Sequence, residues 1–334
     1  MRRSLLLMAL GMMVWSAAAS AKEYVRFTGG PSGGTFQYFS NGISVWLSEN
    51  LDGVRVSNQG SAGSTENLRR INRGKAGFGV VHSGDLFLGR QGKLTGDKKR
   101  YDKVFALGVL YRSAAQLVAR ADGPLRDPGG LTGRKVGIGG PGSGAAASAE
   151  RFFSKAGVWK GLDQQYLGYS KAAAAMKDGH LDAMWVVSGF PTRAVMELAA
   201  TAKVRMIPLR ATAEKAGLQQ AYPFYQWITL PAGTYEGQKE DYLTFADSTL
   251  WVAHSGLSAK TVYNALTAVY SAKGLAYLAS VNVAAKKMSV KTAIDGIKVP
   301  LHPGAVRFWQ EHGHKIPVAL LPGGAATGQP VPGG

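Results

Sequence analysis

Short runs of β-branched and aromatic residues alternate with segments of helical periodicity through most of this chain, a pattern that restricts it to an α/β fold with mainly parallel strands. Strands are expected at residues 25–27, 54–57, 78–81 and 104–110, with helices at 35–49 and 64–72 between them. In the first helix Phe36, Phe39, Ile43, Trp46 and Leu47 share one face. A second group follows, with strands at 116–119, 135–138, 165–167, 181–187 and 204–208. Its helices are expected at 145–156, 171–177 and 192–200, with Ser170 as N-cap of the middle one and Gly179 just beyond its end. A returning strand at 249–253, a long helix at 258–279 and a shorter one at 303–312 complete the pattern. From Pro317 onward the sequence is rich in Pro and Gly without periodicity and reads as a flexible end.

The two groups echo each other. Gly29-Gly30-Pro31-Ser32-Gly33-Gly34-Thr35 follows the first strand and opens a helix, and 110 positions later Gly139-Gly140-Pro141-Gly142-Ser143-Gly144-Ala145 does the same. Glycines let the backbone adopt positive φ and approach a ligand closely, while a helix N-terminus offers unsatisfied N–H groups and partial positive charge. One such turn is as readily a plain tight turn. A pair, joined by Ser61-Ala62-Gly63-Ser64 ahead of a third helix, points to an anion held between backbone donors and the hydroxyls of Thr35 and Ser143.

Composition sets the remaining bounds. The 334 residues contain no Cys, which excludes disulfides, thiolate metal sites, a thiol nucleophile and lipid attachment through cysteine. Arg2 and Arg3, the apolar run from Leu5 to Trp15 and the small residues Ser16-Ala17-Ala18-Ala19-Ser20-Ala21 form a secretory signal, with cleavage expected after Ala21. The run falls short of the about 20 apolar residues that a membrane span needs. Location in the periplasm follows. Without Arg2 and Arg3 the formal charge drops from +18 to +16, an excess that favours anionic partners. The cations are scattered, and Lys98-Lys99-Arg100 is the densest run, so no nucleic-acid partner is expected.

In order and spacing, the run 28–36, Gln59-Gly60-Ser61-Ala62-Gly63-Ser64-Thr65-Glu66-Asn67-Leu68, Gly140-Pro141-Gly142-Ser143-Gly144, Leu167-Gly168-Tyr169-Ser170 and Lys177-Asp178-Gly179-His180-Leu181-Asp182-Ala183 resemble the TAXI family. These are the solute receptors of tripartite ATP-independent periplasmic (TRAP) transporters. The resemblance implies an α/β, two-lobed periplasmic binding protein of type II, without cofactor or enzymatic activity, that closes as a monomer on a small carboxylate such as glutamate or 2-oxoglutarate. It would then dock on the membrane permease subunits. The implied division is signal peptide 1–21, first lobe 22–112 with 245–316, second lobe 113–244 and tail 317–334. Carried onto this sequence, the implied ligand-binding positions are Gly33, Gly34, Thr35 and Phe36, then Ser61, Gly63 and Ser64, then Ser83. The second lobe supplies Gly142, Ser143, Gly144, Tyr169, Ser170, Gly189 and Phe190. Pro31 stands where the family usually has Thr, Gln37 where a second aromatic is frequent, and His82 where Gln is common. Arg112 and Lys171 are candidates for a second charged group of the ligand.

Other motifs compete. Gly30-Pro31-Ser32-Gly33-Gly34 matches a nucleophile elbow, but it follows the first strand, too early for that fold. Gly137-Ile138-Gly139-Gly140-Pro141-Gly142 matches a dinucleotide fingerprint, yet the next strand ends without the acid that would hold a ribose. His312-Gly313-His314 is a histidine pair near the expected loose end and reads as solvated surface. Asp85 and Asp182 read as caps or ion-pair partners as readily as ligand contacts, and Trp185, Trp227 and Tyr235 as core more than binding wall, although a cleft would use some of them to exclude water. A sensor-input protein of the same fold, reporting to a membrane kinase, is the alternative from a different functional class.

Overall fold

The computed structural model describes residues 22–323, so the expected signal peptide and the end of the expected tail, 324–334, lie outside the described residues. The chain runs β1 (Glu23–Thr28), α1 (Thr35–Asn50), β2 (Val54–Gln59), α2 (Ser64–Asn72), β3 (Phe78–His82), α3 (Ser83–Arg90) and β4 (Val104–Arg120). It continues through β5 (Lys135–Gly137), α4 (Gly144–Lys155), β6 (Asp163–Gln165), α5 (Tyr169–Lys177), β7 (Ala183–Ser188), α6 (Arg193–Ala199) and β8 (Val204–Met206). After α7 (Arg210–Lys215), α8 (Leu218–Ala221), β9 (Gln226–Leu230) and β10 (Tyr242–His254) come α9 (Ala259–Tyr270), α10 (Ala272–Val281) and α11 (Pro303–Glu311).

All these strands join one sheet in the order β2-β1-β3-β10-β4-β7-β5-β6, with β8 beside β4 and β9 beside β10. Parallel pairing is confined to its two flanks, β2-β1-β3 and β7-β5-β6. The long central strands β4 and β10 run antiparallel to each other and to their neighbours, so the sheet is mixed rather than mainly parallel. Two hydrophobic clusters result. One draws on residues 25–111 and 250–320, around Phe27, Phe78, Trp251 and Trp309; the other lies within 114–245, around Phe152, Phe153, Trp185 and Phe245. The chain passes from one to the other inside β4 and returns inside β10.

Several expected boundaries change for physical reasons. The strands expected at 104–110 and 116–119 are one strand of 17 residues. Its polar Ser113 is paired, Oγ to Thr249 Oγ1 at 2.8 Å, and the register shift between Thr249 and Leu250 absorbs a bulge. The long helix expected at 258–279 is broken at Ser271, whose hydroxyl accepts from Gly274 N and starts a new helix. The N-cap of α5 is Gly168, not Ser170. The stretch expected to be loose from Pro317 still packs at its start: Leu320 is buried and its carbonyl accepts the N–H of Leu301. Within the described residues, no helix is long and apolar enough to cross a membrane.

Candidate functional site

Five helices begin at one cavity. The residues immediately preceding α1 to α5, namely Gly34, Gly63, His82, Ser143 and Gly168, all line it. The local sequence explains the convergence: short loops join β1, β2, β5 and β6 to the helices that follow them, and β3 passes directly into α3. Gly63 has φ 126°, a conformation barred to side-chain-bearing residues, and Gly33 and Gly142 are also left-handed at 79° and 71°. The N–H groups of a first helical turn have no partner within their own helix, so the walls are rich in donors.

The side chains reinforce that character. Ser143 Oγ accepts from Ala146 N at 3.0 Å, and Ser64 Oγ accepts from His82 N at 2.9 Å, which leaves both hydroxyl protons to donate. Tyr169 is committed to Val187, donating to its carbonyl at 2.9 Å. His82 packs on Phe36 with ring centroids 4.8 Å apart. Burial, reinforced by the nearby Arg151 charge and opposed by Asp85, pushes the His82 imidazole down to about 4, so it is neutral at physiological pH. No Lys, Arg, Asp or Glu is among the residues lining the cavity. The space left is about 20 Å³, room for roughly one water.

The cavity is this small because the two halves of the molecule are in contact around it. Thr35 N donates to Ser188 Oγ at 3.1 Å, Thr35 Oγ1 donates to Gly189 O at 3.2 Å, and Ser188 Oγ donates to Thr35 Oγ1 at 3.0 Å. Gly142 O accepts from Glu66 N at 3.1 Å and from the Thr65 hydroxyl. Ala194 N donates to Gly33 O at 3.3 Å.

Of the positions singled out from sequence, Gly34, Thr35, Phe36, Gly63, Ser64, Ser143, Gly144 and Tyr169 line the cavity together. Gly33, Gly142, Ser170 and Gly189 lie in the surrounding contact layer; a Cβ on Gly33 would come within 2.5 Å of Ser170 Oγ. Ser61 braces its own loop, donating to Gly29 O at 3.0 Å and accepting from Gly63 N. Ser83 is the first residue of α3 and is turned toward Asp247. Phe190 faces a separate hollow, under Lys287. Arg112 borders that hollow too and bonds Gln226, while Lys171 is exposed. Sequence reasoning missed Ser188, although a polar residue ending the wholly buried strand β7 is a signal that could have found it.

Asp85 is ion-paired with Arg151, and Asp182 with Arg134 at 3.2 Å. Trp185 and Tyr235 are core, whereas Trp227 is half-exposed beneath Arg210. His312 and His314 are bound to different carbonyls, those of Phe308 and Val290, and no metal-ligating cluster occurs among the described residues.

The NMT1-like family matches residues 27–313 of this sequence. The chain belongs to the NMT1-like family. Among solved structures it is similar to MatC of Rhodopseudomonas palustris with bound malate, at 20% identity and TM-score 0.54, covering 79% of this chain and 88% of that one. It is also similar to a structure described as a periplasmic transporter, at 13% identity and TM-score 0.52, covering 76% and 86%. The periplasmic aliphatic sulphonate binding protein SsuA of Escherichia coli matches at 15% identity over 78% and 75%, with TM-score 0.44. The fold of this NMT1-like chain is that of the periplasmic binding proteins.

Proposed function

We propose that this NMT1-like protein is a periplasmic solute-binding protein that captures a small organic carboxylate in the cleft and presents it to a membrane transporter of the tripartite ATP-independent type, as the TAXI resemblance implies. The observation that carries the reading is the convergence of helix N-termini on one cavity without a charged side chain in its lining: those of α1, α2, α4 and α5 face it, while that of α3 is capped from behind by Asp247. Each terminus carries roughly half a positive charge, so together they favour a carboxylate without a fixed cation. Malate in the similar structure of MatC supports the same ligand class. The separation of the two hydrophobic clusters supports lobes at 22–112 with 245–316 and at 113–244, hinged on β4 and β10. The expected ligand residues act in two sets, one on each lobe, and the ligand gains its full complement of bonds only on closure. Dicarboxylates are larger than the present cavity, so they enter while the lobes are apart.

Thermal-shift screening of the chain from residue 22 against organic anions, sugars and metal ions tests this. Carboxylates such as malate, glutamate and 2-oxoglutarate are expected to raise the melting temperature. Stabilisation by neutral sugars or metal ions alone would refute the assignment.

A further inference from the structure

Helix α4 turns two charged features toward the other half of the molecule. Its N-terminus faces the cavity, and two turns later Arg151 lies on the same side of the helix as Gly144. Arg151 Nη1 donates to Asp85 Oδ1 at 2.9 Å across the two halves, and the side chains are only 3% and 0% exposed. Every other ion pair among the described residues is at least partly exposed. The second half holds the guanidinium in place: Nε donates to Tyr225 Oη at 2.9 Å, and the rings of Tyr222, Phe224 and Tyr225 surround it at 5.8–6.0 Å.

The pair is poorly suited to holding a fold together. Asp85 Oδ2 and Arg151 Nη2 are buried without partners. A second carboxylate, Asp247, sits beside them and accepts from Gly84 N at 3.2 Å; burial first, and Asp85 second, push it up to about 7. Taking two charges out of water costs about as much as their attraction returns, and an incompletely satisfied pair falls near balance. Each half also has its own hydrophobic cluster, with Phe87 of α3 packed against both. A contact near balance, made between two such halves, is suited to a reversible joint.

We propose that Asp85 and Arg151 form a closure latch, hydrated when the lobes part and paired when they meet, which sets the closed fraction of the ligand-free protein and through it the apparent affinity. The proposal rests on the reading of the cleft as a site that closes. A ligand that needs the closed form binds more weakly in proportion to the loss of that form.

Because the chain has no native Cys, Asp52→Cys and Lys160→Cys, both at exposed positions in different halves, accept a fluorophore pair cleanly. Single-molecule energy transfer on the ligand-free protein then reads the open and closed populations. Arg151→Met is expected to lower the closed-to-open ratio at least roughly tenfold, because closure would bury Asp85 without its counter-ion, and Asp85→Asn is expected to lower it less, because Asp247 still faces the guanidinium. Melting temperature and circular dichroism should be retained, since the orphaned partner is hydrated in the open form. Populations unchanged in well-folded variants would overturn the latch. So would variants that unfold outright, because the pair would then be structural. Populations that shift as expected while no carboxylate stabilises the protein would uphold the latch and reject the ligand assignment alone.

Discussion

Gly144→Ala separates closure from folding in a single methyl group. A Cβ at this position would come within 2.6 Å of Asp85 Oδ2, 2.6 Å of His82 Cδ2 and 2.7 Å of Ser64 Cβ. All three neighbours belong to the other half of the molecule, so the clash exists only while the halves touch. Asp85 is tied to Arg151 and His82 is packed on Phe36, so neither can retreat freely. Overpacking of this kind costs about 1–3 kcal/mol, which lowers the closed population and the ligand affinity roughly 5- to 150-fold. Within α4 itself the substitution is harmless, because Gly144 has an ordinary helical backbone and Ala is the better helix former. Calorimetry with a carboxylate selected by the thermal-shift screen should therefore show weaker binding, while the ligand-free melting temperature stays level or rises. The energy-transfer pair at positions 52 and 160 should report the same fractional loss of closure without ligand, which excludes mere loss of a ligand contact. Unaltered affinity together with an unaltered closed fraction would refute the reasoning, because the glycine would then not be required for approach of the lobes.

Three other substitutions probe the framework. His302 is buried and caps α11, its Nδ1 accepting from Gly304 N, and burial pushes it down to about 4. A depressed histidine contributes stability that is complete above its unfolded pKa near 6.5 and is lost as pH falls through 4, up to about 3 kcal/mol here. His302→Asn keeps a capping acceptor, and its urea midpoint should fall less than that of the parent between those pH values. Asn67 is fully buried, donates to Gly29 O at 2.6 Å and Val80 O at 2.7 Å, and accepts from Thr28 Oγ1 at 2.6 Å. Asn67→Ala leaves those groups unpaired and should cost at least about 2 kcal/mol by urea denaturation. Thr35→Val removes the hydroxyl shared with Ser188 and Gly189 across the halves, so ligand affinity measured by calorimetry should fall about tenfold.

Periodicity revealed the strands and helices whose apolar faces are continuous, such as α1 and β7. It also located the glycine turns, because positive φ leaves a compositional mark at Gly33 and Gly142. It failed where the deciding contact is distant. Helix α3 carries Gly84 and Gly89, a weak local helical signal; its packing needs the close approach of Phe224 and Tyr101, which a Cβ at either glycine would obstruct. Arg151 carries no local signal of its role, because its partner lies 66 residues away. The long crossing strands were undervalued for a related reason: their polar residues are satisfied by each other, as Ser113 is by Thr249, and not by solvent. Ser271 did carry a local signal, a serine able to cap a new helix, but unbroken apolar periodicity masked it.

The distribution of charge makes one more separation testable. The chain beyond residue 21 carries +16, whereas the cavity is lined only by neutral groups. A lysine in that lining would need a counter-ion whenever the cleft closed empty; helix termini attract an anion without that penalty, since they belong to structure that is present in any case. Under the proposed function, the distant cations accelerate encounter and the local dipoles hold the anion that arrives. Long-range attraction is screened over about 10 Å at 0.1 M salt, while contacts inside a closed cleft are screened little. Stopped-flow measurements with a bound carboxylate should thus show an association rate that falls as ionic strength rises and a dissociation rate that barely changes. A dissociation rate that climbs steeply with salt would mean that exposed charges, and not the buried helix termini, retain the ligand.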